Sequence, residues 1–258
     1  MLGIYITAGY PNTQSTIKAL RILDEANVDL IELGVPFSDP LADGPVIQKA
    51  SHQALQQGMN LDKIFELLNE ARSSGVKSAP AKGLNNVILF SYYNPLFSYG
   101  WDKLIQQCQR YQVKGVLIPD LPVDEAEELS KKFKDAGLDL VLLAAITSTE
   151  KRLRKIYDLS SQFVYLVSRI GITGSNEDVK TINPVSPLPA IIAKLKSFGD
   201  KPIGLGFGID SREKVEEAYK FGAEIAIIGS KAVKILEEDD AELTQFKSFI
   251  QGLQVARV

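Results

Sequence analysis

The chain has 258 residues, 45% of them hydrophobic and 24% charged, with a formal net charge of -3. That length suits one closed α/β barrel, and the balance of charge leaves no basic face for nucleic acid or anionic lipid. One Cys and one His exclude an internal disulfide, a Cys-rich metal cage and a two-His metal site.

The first apolar run is IYITAG at 4–9, and no basic-plus-apolar signal segment precedes it. The second, LIELGV at 30–35, runs into the turn-rich PFSDPLADGP. Asn60 then stands as an N-cap before Leu61, Ile64, Phe65 and Leu68 at helical spacing. A polar stretch at 73–86 reads as a surface loop. The third run is 87–94, after which Leu104, Cys108 and Tyr111 recur with a helical period. The fourth run is 115–120. Behind it, Ala126, Leu129, Phe133 and Ala136 form a helix face that Gly137 ends. Runs follow at 138–146 and 163–168, then a long connection at 169–189 of the kind that serves as a lid or binding loop. The last two runs, 203–208 and 225–230, flank a helix opened by Ser211. A closing helix carries Leu243, Phe246, Ile250 and Leu253.

Eight apolar runs alternate with helices. The runs are nearly continuous in Val, Ile and Leu, as parallel strands buried on both faces require. The reading is an α/β fold, a single (β/α)8 TIM barrel over residues 1–258. A doubly wound open sheet is the alternative; the count of eight and the lack of an early G-x-G-x-x-G turn favour the barrel. No run is long enough to cross a bilayer, and the lone cysteine fits a reducing compartment.

Active sites of such barrels gather at the carboxyl ends of the strands. Glu32 lies inside the second run, where a carboxyl is costly unless it is partnered or used. It is either a structural acid facing a lysine or a general acid/base whose pKa burial raises. Asp39 and Asp43 in the following loop are either turn-forming residues or, for Asp43, a second acid flanking a bound molecule. Gly206, Phe207, Gly208 and Ile209 after the seventh run, and Gly229 and Ser230 after the eighth, each precede a helix start. Two helix N-termini are thus expected to converge on one phosphate. Thr173 and Gly174 in RIGITGS either close over a ligand or belong to a solvated loop. Tyr92, Tyr93 and Tyr165 either line an aromatic pocket or pack in the core. His52 reads as a surface residue and Cys108 as core. No lysine lies in any run, which disfavours a Schiff-base aldolase, and one His and one Cys leave little for metal or Cys-His chemistry.

The stretch LIELGVPFSDPLADGP closely resembles the signature of the tryptophan synthase α subunit family. ITAG, FSYYNP, PDLP, VYLVSRIGITG, GFGI and IIGS extend the resemblance along most of the chain. It implies a carbon–carbon lyase: retro-aldol cleavage of indole-3-glycerol phosphate to indole and glyceraldehyde 3-phosphate in tryptophan biosynthesis, without metal or Schiff base. By the resemblance, Glu32 protonates the indole ring at C3, Asp43 stabilises positive charge at the indole nitrogen, and Tyr165 stands near the reacting centre. Tyr5, Phe90 and Leu117 line the indole pocket, and Thr173 and Gly174 belong to the mobile loop. Gly174, Phe207, Gly208, Gly229 and Ser230 contact phosphate through backbone. No cofactor is implied in this chain. Pyridoxal phosphate belongs to a partner β subunit, in an α2β2 heterotetramer, in the cytoplasm or, in a photosynthetic eukaryote, the plastid stroma.

The chain departs from the family in starting almost at the first strand, without the usual covering helix, and in placing Lys231 where a small residue is usual. Three alternatives remain: a stand-alone lyase releasing free indole, a catalytically weak barrel kept as an allosteric partner, and a phosphate-binding isomerase barrel. Glu32 and Asp43 disfavour the second, and the signature around them disfavours the third.

Overall fold

The computed structural model describes residues 1–73, 84–167, 187–206 and 208–253. In chain order the elements are β1 (Leu2–Thr7), α1 (Thr13–Glu25), β2 (Leu30–Gly34), α2 (Pro45–Gln56), α3 (Leu61–Ser73), β3 (Val87–Phe90), α4 (Tyr93–Tyr99), α5 (Trp101–Arg110), β4 (Gly115–Leu117) and α6 (Ala126–Asp135). They continue with β5 (Asp139–Val141), β6 (Leu143–Ala145), α7 (Glu150–Leu159), β7 (Val164–Val167), α8 (Leu188–Lys196), β8 (Ile203–Gly206), α9 (Arg212–Lys220), β9 (Ile225–Ile228), α10 (Ser230–Glu238) and α11 (Thr244–Leu253).

The strands are all parallel and run in the order β5-β4-β3-β2-β1-β9-β8-β7-β6. β5 and β6 are one stretch of chain interrupted at Leu142, so the two ends of that order meet and the sheet closes. The single strand expected at 138–146 is therefore two pairing segments. Strands in a barrel tilt, so a strand's two neighbours engage staggered stretches of it. Here Asp139–Val141 pair with β4, and Leu143–Ala145 pair with β7. Between them the Leu142 N–H donates to Ser160 Oγ at 3.2 Å, while its carbonyl accepts from Tyr165 N. Other bounds also differ from expectation. β1 begins at Leu2, and β3 ends at Phe90 because Tyr93 already starts α4.

Alternation divides the strand side chains into two layers. Ile4, Ile6, Ile31, Leu33, Val87 and Leu89 face the helices and join the larger cluster. Tyr5, Leu30, Ile88, Phe90, Leu117 and Tyr165 face inward and form the second cluster. Each large apolar side chain gains roughly 1.5–3 kcal/mol by leaving water. A one-residue slip of β2 would exchange Ile31 and Leu33 with Glu32, so the apolar layer fixes which way the acid points.

The helices form where expected. The Asn60 side chain accepts from Lys63 N at 3.0 Å ahead of α3, and Gly137 takes a φ of 70° just past α6. Among the described residues, β2, β3 and β9 are each followed by two helices rather than one. Of the extra helices, α2 and α10 pack on each other, and Ile47, Ala50 and Val233 join Tyr10 in the inner cluster. These helices thereby cover part of the barrel interior.

Candidate active site

β2 brings Glu32 to the interior. It lies beside Tyr5 of β1 and Ile88 of β3 in the ladder, and is 1% exposed. Its Oε1 has no hydrogen-bond partner among the described residues. No lysine faces it from the described strands, so the structural reading of this acid lacks a partner. Burial pushes its carboxyl up to about 8, because the charged form loses its water. Glu32 is thus held as a neutral acid near neutral pH.

The loop between β2 and α2 carries the second acid. Asp43 is 5% exposed and sits just ahead of the Gly44–Pro45 start of α2. Its backbone is pinned on both sides: its N–H donates to the Pro40 carbonyl at 3.0 Å, and its own carbonyl accepts from Gln48 Nε2 at 2.8 Å. The Tyr92 hydroxyl donates to Asp43 Oδ2 at 3.0 Å and accepts from Ala42 N at 2.9 Å. Burial raises the Asp43 carboxyl to about 6, with the Tyr92 bond opposing it. Two acids on consecutive segments are thereby pushed to different values, the arrangement that gives one a proton to donate and leaves the other charged.

Two tyrosines complete the chamber. Tyr5, with Phe90 edge-on at 5.4 Å, comes from β1; Tyr165 comes from β7. Thr7 shares the inward face of β1 and places its Oγ1 3.4 Å from the Tyr5 hydroxyl. Each hydroxyl lies over a glycine. A Cβ at Gly34 would overlap the outer end of the Tyr5 ring, and a Cβ at Gly206 that of Tyr165. Burial raises both phenols; after it, Asp43 raises Tyr5 most, and Glu32 and then Asp43 raise Tyr165. Those electrostatic influences join Tyr5, Glu32, Asp43 and Tyr165 in one space. Leu117 is fully buried beside Phe90 in the ladder.

The two helix starts expected at the phosphate end are built differently. Gly208 has a φ of 83° and is exposed, but the helix behind it starts at Arg212, and its cap Ser211 already accepts from Lys214 N at 3.4 Å. One of the first amides of α9 is thereby taken by its own cap. α10 differs: it follows β9 directly through Gly229 and has no side-chain cap bond. A Cβ at Gly229 would lie 3.7 Å from that of Tyr5, so this helix start adjoins the chamber. Ser230 is half-buried and Lys231 exposed. Thr173, Gly174 and Phe207 lie outside the described residues, as do most of the 73–86 and 169–189 loops.

Among the other candidates, Tyr93 stacks on Phe97 at 5.6 Å, away from the acids, so only Tyr92 of the adjacent pair reaches the site. His52 is exposed on α2. Cys108 is buried in α5, where burial pushes its thiol up to about 12 and keeps it protonated. Thr7 and Gly34 were not singled out from sequence. Counting two residues on from Tyr5 and from Glu32 finds both.

The fold and chamber define a parallel-barrel enzyme, with paired acids in the region where barrels place acid–base chemistry. The chain belongs to the family described as Tryptophan synthase alpha chain, which matches residues 2–256. Members of that family are lyases acting on indole-3-glycerol phosphate. The tryptophan synthase alpha chain of Synechocystis sp. is 44% identical over 254 residues, covering 98% of this chain and 91% of that protein. That of Thermosynechococcus vestitus is 41% identical over 252 residues, covering 98% and 90%. Among solved structures, a chain of Mycobacterium tuberculosis tryptophan synthase superposes with a TM-score of 0.84 at 30% identity, covering 98% of this chain and 90% of that one. A chain of the Pyrococcus furiosus tryptophan synthase α2β2 complex gives 0.82 at 36% identity, covering 98% and 96%.

Proposed function

We propose that this chain cleaves indole-3-glycerol phosphate by a retro-aldol route in which Glu32 moves the protons and Asp43 balances the charge. A neutral Glu32 donates its proton to C3 of the indole ring, which places positive charge on the ring nitrogen. Asp43, ionised at neutral pH, stabilises that charge. The resulting Glu32 carboxylate takes the proton of the hydroxyl on the side-chain carbon attached to C3. The bond from C3 to that carbon breaks, its electron pair returns to the ring, and the aldehyde of glyceraldehyde 3-phosphate forms. Glu32 ends protonated again. Tyr5, Phe90 and Leu117 enclose the ring, Tyr165 faces the reacting centre, and the uncapped start of α10 at Gly229–Ser230 receives the phosphate, together with Gly208. Phe207, Thr173 and Gly174 complete the binding set by resemblance. The route needs neither metal nor Schiff base; no lysine stands on any described strand, which supports it.

The observation that carries this reading is the buried Glu32 carboxyl, whose Oε1 has no hydrogen-bond partner among the described residues, raised to about 8 while Asp43 is raised to about 6. We further infer a β subunit as partner, because a structural relative is a mutually activated α2β2 complex; by the resemblance, pyridoxal phosphate belongs to that subunit. The test is indole formation from indole-3-glycerol phosphate, with and without a β subunit. Glu32→Gln is expected to lose about 10²–10⁴-fold in rate, the usual worth of a general acid/base. A folded Glu32→Gln enzyme with normal turnover would remove Glu32 from the mechanism.

A further inference from the structure

We propose that Tyr92 is a positioning residue for Asp43: its hydroxyl, held between the Ala42 amide and the Asp43 carboxylate, aims that carboxylate into the chamber. This rests on the reading of Asp43 as the charge-balancing acid. The hydroxyl lies 2.9 Å from Ala42 N and 3.0 Å from Asp43 Oδ2. A backbone N–H can only donate, so the hydroxyl accepts there, and its single proton is left for Asp43. The direction of the second bond follows by elimination, and a bond of that direction favours the ionised form of the carboxyl.

Tyr92 is itself held in place. It is buried, forms the N-cap residue of α4, and its ring lies 5.3 Å from that of Phe37 at the start of the same loop. Phe37 is in turn clasped by Ser51 of α2, whose hydroxyl accepts from Phe37 N at 2.7 Å and donates to its carbonyl at 3.0 Å. One phenol thus ties the entry of the loop, its exit at Ala42–Asp43, and the β3–α4 junction. A carboxylate on an untethered loop would sample several rotamers; a tether on both the side chain and the preceding amide removes that freedom before substrate arrives.

The titratable groups around Asp43 do not offer the same service. Tyr5 faces it from β1 and Tyr165 from β7, and both phenols are held neutral by burial. Glu32 enters from β2 as a second acid, and Asp120 acts on Tyr92 from behind. Against the burial that raises Asp43, the Tyr92 bond is the opposing influence.

Tyr92→Phe keeps the ring and its packing on Phe37 and deletes only the hydroxyl. With the β subunit present, kcat is expected to fall about tenfold, the size of one hydrogen bond to a charged group, with KM changing far less. The acid limb of kcat/KM should move to higher pH, and so should the Asp43 carboxyl signal in a ¹³C NMR titration of the substrate-free chain. On an Asp43→Asn background the same change should cost nothing further. If Asp43→Asn is inactive but Tyr92→Phe leaves the acid limb and the Asp43 titration unmoved, the positioning role is overturned and the role of Asp43 stands. If Asp43→Asn turns over normally, the reading of Asp43 falls and the positioning role with it.

Discussion

At the scale of single residues, the site is set by what burial does to two carboxyls. In the proposed route Glu32 needs its proton to start the reaction, and Asp43 must have lost its own. Activity should therefore fall as the pH rises through about 8, where Glu32 ionises, and fall again below about 6, where Asp43 is protonated. A profile of kcat/KM with pH should be bell-shaped between those values; a flat alkaline side would remove the acid role from Glu32. The same residue has a stability consequence. Its folded pKa is raised from 4.5, so the neutral form is the one the fold tolerates. Its contribution is fully present below about 4.5 and is lost as the pH rises through about 8. Glu32→Gln does not titrate, so its thermal midpoint relative to wild type should climb by a few °C between pH 5 and pH 8.5. An equal difference at both pH values would show that the buried carboxyl does not carry this penalty. Glu32 was legible because an acid inside an apolar strand is conspicuous. Tyr92 was only half legible: the sequence shows an aromatic at a strand end, but the Asp43 contact spans 49 positions in the chain and exists only once the barrel closes.

Strands decide which of these residues meet, through a period of two. Tyr5 and Thr7 share the inner face of β1, Glu32 and Gly34 that of β2, and the ladder sets Tyr5 beside Glu32. Gly34 is glycine because the Tyr5 ring occupies the space its Cβ would take. Gly34→Ala is accordingly expected to cost about 1–3 kcal/mol of stability through overpacking, and to lower turnover by displacing Tyr5 toward the acids. Adding Tyr5→Leu, which removes the outer ring atoms, should recover part of the stability, with a coupling of roughly 0.5–3 kcal/mol. Urea unfolding of the two single variants and the double variant measures this; strict additivity would mean the two side chains do not compete for one space. At this scale the sequence showed the order and identity of the strands, because continuous apolar runs mark parallel strands buried on both faces. It did not show the break at Leu142. That break arises from barrel tilt and from Ser160 taking the Leu142 N–H, and neither is a property of the run itself. The sequence did show the start of α9, which Ser211 opens and caps, but not that α10 begins at Gly229 without a side-chain cap bond.

For the molecule as a whole, the closed barrel gathers the chamber proposed for the chemistry against one rim, and that rim is what a partner would meet. Asp43 and Tyr92 lie on the segments leaving β2 and β3, so the rim formed by those segments is the wall of the chamber. The same segments expose two large apolar side chains: Leu41, 81% exposed, two residues before Asp43, and Phe97, 58% exposed, on α4. Exposed apolar side chains beside a reactive chamber are what a docking partner covers. A β subunit seated on this rim would press on the segment that Tyr92 and Phe37 hold, and so reach Asp43 without touching it. Phe97→Glu tests this without altering any group assigned to the chemistry. The variant alone should form indole at the wild-type basal rate, since among the described residues the exposed Phe97 ring stacks on Tyr93 alone. Its affinity for the β subunit should drop, because a charge would have to be desolvated where an aromatic ring was buried. The activation on adding β should then require a higher β concentration, on the order of 5–150-fold higher for a coupling of the usual size. Titrating β against indole formation for both proteins measures the shift. Superimposable titrations would place the docking face elsewhere on the barrel, and leave the exposed Phe97 as a surface residue with no part in assembly.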